Sequence, residues 1–156
     1  MSDREWHEHF LRVALACAQK SKDPSTKVGA IIIGPDRDLR AAGFNGFPRK
    51  IRDTPERLNN RKQKLKLVVH AEMNAILAAA RVGVPLKGCT MYIAAHGDNM
   101  VWGGPPCVRC TVELIQTGIE KIISWPMKTA PSRWLSDLKQ SQELLLEAGV
   151  EFLAIE

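Results

Sequence analysis

The chain has 156 residues, 45% of them apolar, with a net charge of +5. This length suits one folded domain spanning 1–156 around one core, and the apolar fraction argues against a disordered chain. No apolar run reaches the ~20 residues of a bilayer-crossing helix, and residues 1–6 lack a basic-then-apolar leader, so the expected location is the cytoplasm, with no membrane partner.

Trp6, Phe10, Val13, Ala14 and Cys17 recur at helical spacing and predict a first helix over about 3–20. Pro24 then breaks the pattern. Residues 28–34 read as a strand buried on both faces, 35–38 as a turn, and 39–44 as a second strand antiparallel to it. Gly43, Asn45, Gly46 and Pro48 mark a bent loop. Residues 54–67 are polar and basic, with partial helix expected. An alanine-rich helix is expected over 71–81, a third strand over 90–95, and a Gly- and Pro-rich loop over 96–106. A helix from about 107 to Gly118, a strand over 119–124, a helix over 134–148 and a strand over 150–155 complete the chain. Strands alternating with helices in the second half predict parallel pairing. The expected fold class is α/β: a three-layer α-β-α arrangement around a five-stranded mixed sheet whose last strands are parallel.

Charge is concentrated. Residues 49–66 hold eight Lys or Arg against Asp53 and Glu56, leaving the remainder close to neutral. Such a segment is either a solvated surface or a site for an anionic partner. The four cysteines are Cys17, Cys89, Cys107 and Cys110. In a reducing compartment a close-set pair points to a metal or redox site over a disulfide.

The strongest signal is His70-Ala71-Glu72 followed by Pro106-Cys107-Val108-Arg109-Cys110, the H-x-E…P-C-x-x-C pattern of zinc deaminases. One imidazole and two thiolates suit zinc, and three protein ligands leave a fourth position for water. A closed structural site would need His96 or Cys89 as a fourth ligand; a bare Cys-x-x-Cys would also suit a redox pair. Ligands at helix starts would have their thiolates stabilised by the helix dipole. Glu72, two residues from His70, is the candidate proton shuttle, with hydroxide formed on the zinc attacking C4 of a cytosine ring.

Beyond these motifs the chain resembles the deoxycytidylate (dCMP) deaminase family over nearly its whole length. The resemblance runs through 21–30, the Gly43-Phe44-Asn45-Gly46-Phe47-Pro48 loop, His70 to Leu77, and 88–92. It implies hydrolysis of dCMP, or a related cytosine nucleotide, to dUMP and ammonia, with one zinc per chain. It also implies substrate contacts from Asn45 and the Ala71 backbone amide, and 5′-phosphate contacts from Ser25 and Lys27. The loop of Gly43, Phe44, Asn45, Gly46 and Pro48 is linked in the family to control by dCTP or dTTP, with Mg2+ accompanying the nucleotide, in homo-oligomers that are often hexamers and otherwise dimers. Phe44 stands where many members have Tyr. Residues 96–104 depart from the family as an insertion ending beside Cys107, and Trp102 within it either covers the mouth as a lid or packs against the core or a neighbour. Three other readings stay open: a deaminase acting on tRNA or single-stranded nucleic acid, which is the less expected partner; a riboflavin-pathway deaminase, suggested only by Gly103-Gly104-Pro105-Pro106-Cys107; and a zinc-stabilised binding module without activity.

Overall fold

A computed structural model describes residues 2–127 and 132–156. The first helix, α1 (Asp3–Ala18), begins with a capping box in which Ser2 and Glu5 bond each other's backbone amides. It packs across one face of the sheet through Phe10, Leu11 and Ala14. Gly29 permits that approach, because a Cβ there would stand 2.0 Å from the Ala14 carbonyl oxygen.

Strands β1 (Lys27–Ile33) and β2 (Leu39–Phe44) pair antiparallel. The segment after them forms two short helices, α2 (Pro55–Asn59) and α3 (Arg61–Leu67), started by the Thr54 and Asn60 side chains. Helix α4 (Ala71–Val82) leads to β3 (Thr90–Gly97), β4 (Met100–Trp102), α5 (Val108–Gln116), β5 (Lys121–Ser124), α6 (Ser132–Ala148) and β6 (Glu151–Ala154). The sheet order is β2-β1-β3-β5-β6, with β3, β5 and β6 mutually parallel as the strand–helix alternation predicts.

The two faces of β3 show why three layers form. Met91 and Ile93 join Ala71, Ala75, Ala79 and Leu114 of α4 and α5, while Tyr92 and Ala94 join α1 on the other side. Helix α4 lies close on β2 because position 43 is glycine. A Cβ there would meet the Ala75 nitrogen at 2.4 Å and the Ala71 carbonyl oxygen at 2.7 Å. No helix among the described residues is long and apolar enough to cross a membrane.

Two expectations are corrected. Among the described residues the sheet has six strands and not five, and 96–106 is no simple loop. Strand β3 runs on to Gly97, turns at Asp98 and Asn99, and returns as β4, with Ala95 opposite Trp102 and Gly97 opposite Met100. Asp98 and Asn99 have φ of 49° and 57°, the left-handed pair that a two-residue hairpin turn requires and that Asp and Asn tolerate. The hairpin base is pinned as well. The Gly104 amide donates to Ser124 Oγ at 2.9 Å, and that buried hydroxyl donates to the Ile93 carbonyl at 2.9 Å.

Candidate active site

His70 and Cys107 are the residues that cap α4 and α5, and neither side chain caps its own helix. Both therefore remain available at adjoining helix starts. His70 Nδ1 lies 3.5 Å from Cys107 Sγ and 3.3 Å from Cys110 Sγ. All three donor atoms fall within 4.8 Å of one another, and among the described residues no fourth His, Cys, Asp or Glu joins them. His96 and Cys89, the fourth ligands weighed for a closed site, are outside this group. One nitrogen and two sulfurs at this spacing match zinc's bond lengths of roughly 2.0–2.3 Å and its three-ligand catalytic arrangement.

Glu72 is buried, with Oε2 4.0 Å from Cys110 Sγ. Burial pushes its carboxyl above the usual range, so the group is inclined to hold a proton. The sulfurs are electrically unequal. A hydrogen bond from Cys110 to Cys107 is the main cause holding the Cys107 thiol down at about 4, helped by the His70 ring. The same bond, with burial, drives the Cys110 thiol upward. Hydrogen bonding to Cys107 raises His70.

The cluster opens on a cavity of about 630 Å³. Val28, Ile93 and Ala95 of the sheet line it, as do Ala71 and Glu72 of α4. Ala71 is the first residue of α4, where backbone amides have no partner inside the helix. Trp102 contributes from the hairpin. It is a strand residue whose ring rests over Gly97, where a Cβ would stand 2.9 Å from its Cη2 atom and 2.9 Å from the Ser25 carbonyl oxygen. Met127, Trp134 and Asp137 close another wall.

Asn45 lines the cavity, with much of its amide engaged: Oδ1 accepts from the Val28 amide at 2.8 Å, and Nδ2 donates to the Thr26 carbonyl at 2.9 Å. Gly46 exchanges both backbone bonds with Val69, and Asn74 of α4 donates to the Phe44 carbonyl, so the 43–48 loop is tied to the start of α4. Ser25 lines the cavity, but Lys27 does not. The Lys27 ammonium donates to the Ser21 carbonyl at 2.8 Å.

Among the described residues, the Lys and Arg side chains that line the cavity are Arg61 and Lys64, one turn apart on α3. The Lys64 ammonium is nearly buried, 3.1 Å from Asp23 Oδ1 and 3.3 Å from Ser25 Oγ. Asp23 Oδ1 also accepts the Ser25 and Thr26 amides. Sequence reading missed Lys64 because it is one of eight cations in its segment. No local signal singles it out: the lysine flanked by apolar residues is Lys66, between Leu65 and Leu67, and that one is exposed.

The model of the cytidine and deoxycytidylate deaminase zinc-binding region matches residues 4–125. The chain therefore belongs to this family of hydrolytic deaminases. It is 36% identical over 149 residues to an uncharacterized deaminase in the luxG 3′ region of Aliivibrio fischeri, covering 94% of this chain and 91% of that one. It is 38% identical over 154 residues to the deoxycytidylate deaminase of Pongo abelii, covering 95% of this chain and 78% of that one. In fold it is similar to the dCMP deaminase of cyanophage S-TIM5, solved in complex with dCMP and dUMP, with a TM-score of 0.74 at 23% identity over 99% and 98% of the two chains.

Proposed function

We propose that the chain hydrolyses dCMP, or a closely related cytosine nucleotide, to dUMP and ammonia. The observation that carries this reading is one cavity lined by His70 and Cys107 of the three-donor cluster, by the buried carboxyl of Glu72 and by the nearly buried Lys64. A nucleoside monophosphate has matching halves: a ring to hydrolyse and a phosphate to hold.

His70, Cys107 and Cys110 would hold zinc, which when bound would supply the Lewis acidity that ionises water near neutral pH. Glu72 takes one proton from the attacking water and delivers it to the ring nitrogen, then takes the second from the new C4 hydroxyl and passes it to the amino group, so that the C4–N bond breaks and ammonia leaves. Burial suits it to the task, since a carboxylate held above its usual range is the stronger base for taking that proton. The Ala71 amide bonds the ring carbonyl, and Asn45 uses its remaining N–H on the sugar. Lys64, Arg61 and Ser25 take the phosphate; Lys64 acts as a point charge and Arg61 as a fork. Trp102 forms a fixed wall against the substrate. Lys27 fastens the substrate loop through Ser21 and is given no phosphate contact. Control by dCTP or dTTP through the 43–48 loop, and assembly into oligomers, belong to the same reading.

The test is ammonia release from deoxycytidine, dCMP, methylated dCMP, dCTP and a short single-stranded DNA, with and without added dCTP and Mg2+. Fastest turnover of a monophosphate is the expected result. Activity on the DNA alone, falling steeply with salt, would replace this reading with a nucleic-acid deaminase.

A further inference from the structure

Helix α5 carries two of the three donors, yet its own sequence does little to fix where it starts. Its capping residue is Cys107, whose side chain makes no capping bond, and its first turn contains no acidic residue. The α4 start is better held: Asn74 bonds the Phe44 and Val69 carbonyls there. The α5 start is held from α6. Asp137 Oδ2 accepts the amide of Val108, the residue next to Cys107, at 3.1 Å. One turn further along both helices, Thr111 Oγ1 and Ser141 Oγ share a buried hydrogen bond of 2.7 Å. Leu145, another turn on, enters the core. Positions 137, 141 and 145 thus form one face of α6, gripping α5 beside each of its donors, at Val108 next to Cys107 and at Thr111 next to Cys110.

We propose that Asp137 is a positioning residue for the metal site, and that α6 is the strut holding Cys107 and Cys110 at the separation zinc requires. The inference rests on the zinc reading above. A carboxylate at a helix start satisfies an unpaired amide and favours the dipole, and groups that orient metal ligands typically alter affinity 10–100-fold when removed. Leu145 packs into the core away from the donors, so positions 137 and 145 separate support of the ligands from support of the helix.

The experiment uses the full chain, stripped of metal and reloaded. Zinc affinity is read by chelator competition, ligand geometry by the cobalt(II) absorption spectrum, and folding by the thermal midpoint of the metal-free chain. Asp137→Ala is expected to weaken zinc about 10–100-fold and to change the cobalt spectrum. Asp137→Asn, which can still accept from the Val108 amide, is expected to restore most of the affinity. Leu145→Val, in the core away from the donors, is expected to lower the thermal midpoint without moving zinc affinity. Should the alanine variant not fold, Asp137→Ser, too short to reach the amide, carries the same comparison. Wild-type affinity and spectrum in a folded Asp137→Ala or Asp137→Ser chain would overturn the inference. A wild-type chain that binds no zinc overturns the underlying reading instead.

Discussion

Glu72 Oε2 stands 4.0 Å from Cys110 Sγ, inside the site but outside the three-donor cluster. A carboxylate so placed can act on whatever the ion holds without being one of its ligands. Glu72→Gln keeps the volume and removes the proton shuttle. Turnover is expected to fall by at least ~100-fold, while zinc content stays at the wild-type level. Because burying a charge is costly, thermal stability is expected to equal or exceed that of the wild type. Retained turnover in a zinc-loaded Glu72→Gln chain rules out the shuttle role.

Lys64→Met preserves the buried stem and deletes the ammonium. Asp23 keeps two amide donors, at 2.8 and 3.2 Å, so the loop should survive with reduced stability. A charged hydrogen bond contributes about 1.5–3 kcal/mol, so kcat/KM for dCMP is expected to drop by one to two orders of magnitude, with deoxycytidine little affected. Equal losses on nucleotide and nucleoside would show that Lys64 serves the fold alone. The parallel change Lys27→Met is expected to affect both substrates alike.

Trp102 and Gly97 form a matched pair. The ring occupies the space a side chain at 97 would need, 2.9 Å from the built Cβ. Removing the ring forfeits contact with the substrate, and stacking of this kind supplies roughly 1–3 kcal/mol. Trp102→Ala is therefore expected to lower kcat/KM by about ten- to a hundredfold. Gly97→Ala should displace the ring with a similar effect, and the double variant should lose less than the sum of the two. Additive losses in that cycle would mean that the two positions act independently.

Gly43→Ala would drive a methyl into the backbone of α4, at 2.4 Å from the Ala75 nitrogen. Overpacking of this kind costs about 1–3 kcal/mol, measurable by denaturant unfolding. Zinc affinity should fall with it, because α4 begins at His70. Gly46 is the control. No atom lies within 4 Å of its built Cβ, so Gly46→Ala is expected to leave both quantities nearly unchanged.

The sequence by itself determined the three candidate metal donors, the shuttle candidate and most of the fold, because these depend on local spacing. His-x-Glu and Cys-x-x-Cys set side chains within one helical turn, and apolar periodicity reports which face is buried. The hairpin at 96–104 escaped this reading because Asp98-Asn99 lies beside Gly-Gly-Pro-Pro, whose loop signal masks a three-residue strand. Only the tertiary structure decided that Lys64 and not Lys27 lines the cavity, that Asp137 serves a helix start 29 residues away, and that Gly43 and Gly97 make room for α4 and Trp102. The physical reason is common to all of these. A cation's partner, a distant cap and the clearance around a glycine are properties of two segments packed together, and neither segment alone encodes them.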